Sequence, residues 1–389
     1  MFRTLLARIN TGRELTFLHN GFSRLLQNVH SSQSAILPGS RKSLQCFQEV
    51  LVLLWKTLEE NPLFLTHVLT RCDVTEIVIP ICFLMHQSRN DPSRVGLEHV
   101  CTFILLRLSG ERSFGVCVGS KPFSTRLPGD MPIFSGGHAD LIAITFHRII
   151  VNGSFRLAPL YSCLLTILCN VSPYWRSISL VAAMKLVNIF ELLSSPRFLY
   201  NSPGSHKLLA LLLEIFNNVI QYQYNGSHHL IYAIVRRKDS FGRLSALTLK
   251  RAIAQHKKAY GDGTDIRLDH DTEKEGERKD MMDMQEIQTN SGRGKSLPAP
   301  GPTEGRDHTW DVGGDGSKRF QPSAQWLLEM RENLPLETIS RLLQHLVPVV
   351  DDVITRGDGI IDEVEILDIL SDVTMVGEWV RVTFLLNFF

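Results

Sequence analysis

Through the first 258 residues, apolar side chains recur at every third or fourth position and almost never alternate, which is the stride of a helix and not of a strand. That regularity sets aside sandwiches, barrels and α/β sheets and predicts an all-α chain. From Ile178 the positions Ala182, Lys185, Leu186, Ile189 and Leu193 follow the stride, and Ser194, Ser195 and Pro196 end it. Leu208 to Ile220 is apolar nearly all round, broken by Glu214, Asn217 and Asn218, and reads as an inner helix covered on both sides. Earlier helices are expected at 13–29, 44–59, 62–70, 73–87 and 93–109, and later ones beginning near 137, 156, 177 and 205. Alternate members of the later set begin about 40 and about 49 residues apart, which resembles stacked helix pairs. An armadillo/HEAT-like helical stack is therefore expected, with an irregular helical domain as the competing form, because no repeat of sequence accompanies the stride.

Two stretches interrupt the pattern. Between Gly110 and Gly137 it lapses into a segment holding Gly115, Gly119, Pro122, Pro128, Gly129, Pro132 and Gly136. A loop of that length inside a folded domain is either a crossover strap or a functional loop, with Arg112, Phe114, Phe123 and Phe134 as its candidate residues. From 259 to 322 Asp, Glu, Lys, Gly and Ser take over without apolar period, which predicts a long disordered linker. Helical pattern returns at Gln325–Met330, at Pro335–Val347 and at Ile360–Leu370. The expected division is thus a helical-repeat domain over 1–258, the linker over 259–322, a short C-terminal helical segment over 323–374 and a divergent tail over 375–389.

Charge narrows the partners. With 41 Lys plus Arg against 40 Asp plus Glu the net charge is +1, so no global field draws nucleic acid, and no nucleic-acid partner is expected. The 7 cysteines contain no CxxC pair and sit mostly inside apolar runs, as reduced core residues of a cytosolic protein do. No signal peptide is evident at Met1–Gly12. Leu157–Trp175 is uncharged and nominally long enough to span a bilayer, but with Pro159, Asn170 and Pro173 it reads as a buried helix. The sequons at Asn152, Asn170 and Asn225 read as chance.

Sequence motifs of catalysis are absent. Gly115-Val-Cys-Val-Gly119-Ser-Lys121 misplaces the lysine of a phosphate loop and puts Pro122 where the helix would begin. There is no GxSxG elbow and no HExxH. Cys117 and His138 lie at the two ends of the long loop, and a thiol nucleophile with its base would require them to meet. The histidines, His228-His229 included, lack ligand spacing, so no metal is expected. Asp351 to Gly359 resembles a calcium loop superficially, but with Gly357 as sixth residue Ile354 and Arg356 fall where oxygen donors are needed; a solvated turn between two helices is expected. No catalytic residue, cofactor or metal site is assigned.

One local charge feature stands out. Arg236, Arg237, Lys238, Arg243, Lys250, Arg251, Lys257 and Lys258 accumulate with Asp239 as the one acid among them, and Phe241, Leu244, Leu247, Leu249 and Ile253 are interleaved. That composition suits an anionic membrane surface or a partner protein; the alternative is a solvated last helix.

Several segments carry a family resemblance. Asp91-Pro-Ser-Arg-Val-Gly-Leu97, Leu108-Ser-Gly-Glu-Arg-Ser-Phe-Gly115, His138-Ala-Asp-Leu141, Phe146-His-Arg-Ile-Ile150, Asn170-Val-Ser-Pro-Tyr174 and Phe216 to Gln223 resemble the high-temperature-induced dauer formation protein family, which is related to dymeclin. Leu334-Pro-Leu336, Arg341-Leu-Leu-Gln344 and Leu346-Val-Pro348 resemble it as well. The resemblance implies a non-enzymatic protein peripherally associated with Golgi and trans-Golgi membranes from the cytoplasm. It implies a role in secretory-granule, or dense-core vesicle, biogenesis and protein sorting, with proteins of that machinery as partners. A soluble helical protein-binding adaptor without membrane contact is the alternative. Family members are longer and begin with a Gly suited to myristoylation, whereas this chain begins Met1-Phe2; it is expected to correspond to roughly the C-terminal half and to associate more weakly with Golgi membranes.

Overall fold

Asn61 shows how the chain turns between helices. Its side chain caps one helix by accepting from Phe64 N at 2.9 Å, Pro62 supplies the first helical position, and its amide donates to Leu6 O at 2.8 Å and Ile9 O at 2.9 Å. Ser179, Ser195 and Ser323 cap later helices in the same way. The structure, a computed structural model, describes residues 2–33, 46–123, 134–260, 320–356 and 363–372.

The helices are α1 (Phe2–Arg8), α2 (Gly12–Gln33), α3 (Phe47–Glu60), α4 (Pro62–Arg71), α5 (Thr75–Ser88), α6 (Val95–Ser109), α7 (Arg112–Ser120), α8 (His138–Asn152), α9 (Tyr161–Val171), α10 (Leu180–Ser194), α11 (Pro196–Leu199), α12 (Ser205–Tyr222), α13 (His228–Arg236), α14 (Lys238–Ser245), α15 (Leu249–Tyr260), α16 (Ala324–Asn333), α17 (Glu337–Arg356) and α18 (Glu363–Asp372). Two dipeptides, β1 (Pro122–Phe123) and β2 (Gly136–Gly137), pair antiparallel and are the strands among the described residues. The fold is all-α.

The helices pack in two rows. One row runs α2, α5, α8, α10, α13 and the other α3, α6, α9, α12, each helix touching the next of its own row. The rows lean on each other through α2 with α3, α5 with α6, α8 with α9 and α10 with α12. α16 continues the second row beyond α12, while α17 and α18 pack on α13. A single apolar cluster runs through both rows from Leu15 to Leu370, with Trp175, Tyr161, Phe64, Phe146, Phe190 and Phe216 wholly buried. Each such side chain contributes roughly 1.5–3 kcal/mol by leaving water, which is why the stride of apolar residues governs the architecture. The apolar stretch 155–174, which by length and composition could cross a membrane, is half buried within this cluster between α6 and α12.

Several expectations are corrected. The segment read as one long loop from Gly110 contains a helix, α7. Its Gly115 and Gly119 are one turn apart and face the turn at Ser172–Tyr174: a Cβ on Gly119 would lie 2.1 Å from Tyr174 O, and one on Gly115 2.4 Å from the Tyr174 ring. The glycines that look like loop residues are there for close approach inside a helix. The turn expected at Asp351 is instead helical through Arg356, because Val350 stays buried and Asp351 is paired across the stack; residues 357–362 lie outside the described part. α1 was not expected, and α10 begins three residues late because Ser179 is its cap. Of the linker expected over 259–322, residues 259–260 are the end of α15 and 261–319 lie outside the described residues, as does the tail 375–389.

Candidate functional surface

The basic segment is not one helix but the end of α13, all of α14 and all of α15, joined by tight turns. At about 100° per residue, Lys250, Arg251, Lys257 and Lys258 fall within an arc of about 120° on α15, with Ala254 between them. All five are exposed, and α15 contains no acid. The opposite side of the helix is used for packing. Ala252 is wholly buried, Gln255 accepts from Tyr200 Oη at 2.7 Å, His256 meets the Tyr200 ring edge-on at 6.2 Å, and Tyr260 Oη donates to Arg197 O. α15 is therefore held in place with a one-sided cationic face turned to solvent.

The other four cations are spent otherwise. Arg237 pairs with Glu191 on α10, and Lys238 Nζ lies 2.9 Å from Asp351 on α17, so both tie elements of the stack together. Arg236 is exposed, its guanidinium 5.9 Å from the Tyr232 ring, and Arg243 donates to Ser240 Oγ at 3.0 Å. The interleaved apolar residues are mostly consumed by the core: Phe241 stacks on Phe190 at 4.1 Å, Leu244 and Leu247 are buried, and Ile253 alone of the five is largely exposed at 38%. No apolar wedge accompanies the cations, so attraction at this surface is electrostatic and falls with salt.

The other candidate region is a clasp. Arg112 is exposed at the start of α7, while Phe114 is wholly buried. Phe123 and Phe134 stack at 5.3 Å on the β1–β2 pair, and His138 meets Phe123 edge-on at 5.6 Å. Residues 124–133 lie outside the described part. Asp140 fixes the clasp to α10 by accepting from Gly137 N at 2.6 Å, Trp175 Nε1 at 3.1 Å and Ser179 N at 3.3 Å; burial nonetheless pushes its carboxyl up to about 6. Cys117 and His138 are not set up as nucleophile and base. His138 Nδ1 faces Lys121 O at 3.1 Å, burial raises the Cys117 thiol, and burial lowers the His138 imidazole. Among the described residues no group of three or more His, Cys, Asp or Glu side chains could hold a metal ion.

A polar cluster between α5, α6, α8 and α10 escaped the sequence reading. Ser88 Oγ donates to Glu98 Oε1 at 2.6 Å, Arg89 Nη1 and Arg148 Nη1 approach His86 Nε2 at 3.4 and 3.3 Å, and His147 Nε2 lies 2.8 Å from Asn188 Oδ1. The signal was present: charged residues at core-side positions of otherwise apolar helices, Lys185 among them.

Comparison with known proteins places these features in context. Residues 1–383 match the profile of the Dymeclin family, the Dyggve-Melchior-Clausen syndrome protein. The chain is 38% identical to protein HID1 of Homo sapiens over 97% of its own length and 52% of that relative's. It is 28% identical to protein HID1 of Dictyostelium discoideum over 94% of its length, and 28% identical to the Ubp5-interacting protein ftp105 of Schizosaccharomyces pombe over 66%. The chain spans about half the length of the HID1 relatives it matches. No solved structure matches it.

Proposed function

The chain belongs to the Dymeclin family, and from that premise we propose that it is a non-enzymatic scaffold at the cytoplasmic face of Golgi membranes, acting in secretory-granule (dense-core vesicle) biogenesis and in protein sorting at the trans-Golgi network. Its partners are proteins of that machinery together with an anionic membrane surface. The observation that carries the membrane part is the one-sided face of Lys250, Arg251, Lys257 and Lys258 on an anchored helix. Each such residue near an anionic leaflet contributes at most about 1 kcal/mol, so four give weak and reversible attachment, suited to a scaffold that is recruited and released.

The test is sedimentation of the whole chain with phosphatidylcholine vesicles, with and without phosphatidylserine. Binding should require phosphatidylserine, be measurable at low salt and be largely lost near physiological ionic strength. Changing all four cations to Gln should abolish it without altering the helical circular dichroism. A second reading, a soluble adaptor that binds proteins without touching lipid, is favoured by the commitment of Phe241, Leu244 and Leu247 to the core. Under that reading the quadruple variant behaves like the parent with vesicles of either kind.

A further inference from the structure

Three hydroxyls lie inside the basic segment, Ser240, Ser245 and Thr248, and the fold treats each differently. Ser240 is half-buried within α14, and its Oγ accepts from Arg243 Nη2 at 3.0 Å. Ser245 is exposed but stands in the last turn of α14, where its Oγ donates to Gly242 O at 3.0 Å and where the helix dipole opposes added negative charge. Thr248 is exposed in the short connection between α14 and α15, outside either helix. Its carbonyl accepts from Ala252 N at 2.8 Å and its Oγ1 from Arg251 N at 3.4 Å, so it caps the start of α15. Arg243, Ser245 and Ala246 before it and Lys250 and Arg251 after it are exposed as well. Leu244 and Leu247 anchor the connection in the core, and Arg331 Nη2 donates to Leu247 O at 2.7 Å. The Thr248 hydroxyl is therefore presented at the surface in a fixed relation to the cationic face of α15.

We propose that Thr248 is a phosphorylation site for a protein kinase that selects basic residues beside the hydroxyl, and that its phosphate silences half of the cationic face. Lys250 and Arg251 stand two and three positions beyond Thr248, and no acid lies between Asp239 and Tyr260, so an acidic substrate groove meets cations alone. The step moves the γ-phosphoryl group of a nucleoside triphosphate. The bond from the γ-phosphorus to the bridging oxygen breaks, the Thr248 Oγ1–P bond forms, the diphosphate leaves, and the hydroxyl proton passes to a base of the kinase. The product carries a charge of about −1.5 to −2. At about 1.5 Å of rise per residue Lys250 and Arg251 fall within the Debye length of about 8 Å from that charge, whereas Lys257 and Lys258, nine and ten positions on, lie beyond it. The first turn of α15 tolerates the dianion, because the helix dipole favours negative charge there and the cap is kept. The switch rests on the reading of this face as a membrane contact.

The experiment treats the whole chain with a kinase of that specificity and adenosine triphosphate, maps the phosphate by mass spectrometry, and sediments treated and untreated chain with phosphatidylcholine vesicles containing phosphatidylserine at low salt. Phosphate should appear on Thr248, and vesicle binding should weaken about 30-fold, roughly fivefold for each of the two silenced cations. Helical circular dichroism should not change. Thr248→Asn keeps a capping side chain and cannot take the phosphate, so after the same treatment it should bind as the untreated parent does. Retention on heparin, a polyanion without lipid, is measured on the same samples and should fall on phosphorylation too. If the untreated chain ignores phosphatidylserine vesicles, the membrane reading fails by itself, and heparin then decides the switch: a fall in retention on phosphorylation upholds it, and unchanged retention overturns it. A treated chain that carries its phosphate on Ser240 or Ser245, or none at all, with Thr248 unmodified, overturns the proposal. So does phosphate on Thr248 with no loss of binding in either assay.

Discussion

Gly119→Ala and Gly21→Ala are the same chemical change in two helices, and they should move stability in opposite directions. Alanine is favoured over glycine inside a helix by about 0.5–1 kcal/mol, and at Gly21 in α2 nothing lies within 4 Å of the added methyl, so that gain should appear in full. At Gly119 the methyl would sit 2.1 Å from Tyr174 O, 2.7 Å from Tyr174 C and 3.2 Å from Trp175 Cα. These are backbone atoms, and they cannot swing aside. α7 must retreat by roughly 1–1.5 Å to restore normal contact, which loosens its buried Phe114 and Val118. Overpacking of this kind costs about 1–3 kcal/mol, and the hydrogen bond from Arg176 N to Gly119 O, 3.2 Å long, contributes about 1 kcal/mol more. Set against the helical gain, the net loss is about 1–3 kcal/mol. Thermal unfolding of the two single variants and the parent chain, followed by circular dichroism, should place Gly21→Ala above the parent and Gly119→Ala several degrees below it. If Gly119→Ala melts with Gly21→Ala, α7 does not lie against residues 172–175, and the region is the open loop that its composition suggests.

Three other outcomes follow from the same structure. Glu98 has its folded pKa raised to about 8 from 4.5, so the folded chain holds a proton that the unfolded chain releases; its contribution to stability is present below pH 4.5 and is lost as pH rises to 8, at up to about 1.4 kcal/mol per unit. Glu98→Gln should flatten that slope in urea unfolding measured between pH 5 and 8, and an unchanged slope would assign the pH dependence to other groups. Trp326→Ala should cost about 3–5 kcal/mol, since the indole is 4% exposed, donates to Pro203 O at 3.1 Å and packs on Tyr200 and Phe320; hydrogen exchange should then quicken in α16 while α8 stays protected. Asn61→Ala should cost about 2–3 kcal/mol in a chemical unfolding curve, because a helix cap is lost and two carbonyls of the α1 end lose the Asn61 amide together, Ile9 O and also Leu6 O, which keeps its 3.3 Å bond from Ile9 N.

The helical stride made most of the fold legible, because burial against neighbouring helices selects the apolar residues that display it. It failed where a residue's reason for being there was a neighbour and not its own propensity. Gly115 and Gly119 read as loop because glycine destabilises an isolated helix, and only the closeness of Tyr174 explains them. Asp351 read as turn because its partner, Lys238, is remote in sequence. The basic segment was visible as composition, but its division into packed and open cations depends on Glu191 and Asp351, which no local pattern discloses.

The rings of Tyr260, His256, Tyr200, Trp326 and Phe320 form one unbroken chain of contacts, each 5.2–6.2 Å from the next. Tyr260 is the last described residue before the stretch 261–319, and Phe320 the first after it, so one aromatic buckle joins the point where the described chain breaks off to the point where it resumes. The same contacts clamp α15 and α16 to one another through the Tyr200 ring. A flexible connection between two points fixed in this way costs only about 0.6 kcal/mol more for each doubling of its length. A fluorescent protein or an affinity tag spliced in between Tyr260 and Phe320 should therefore leave the melting temperature of the two rows unchanged.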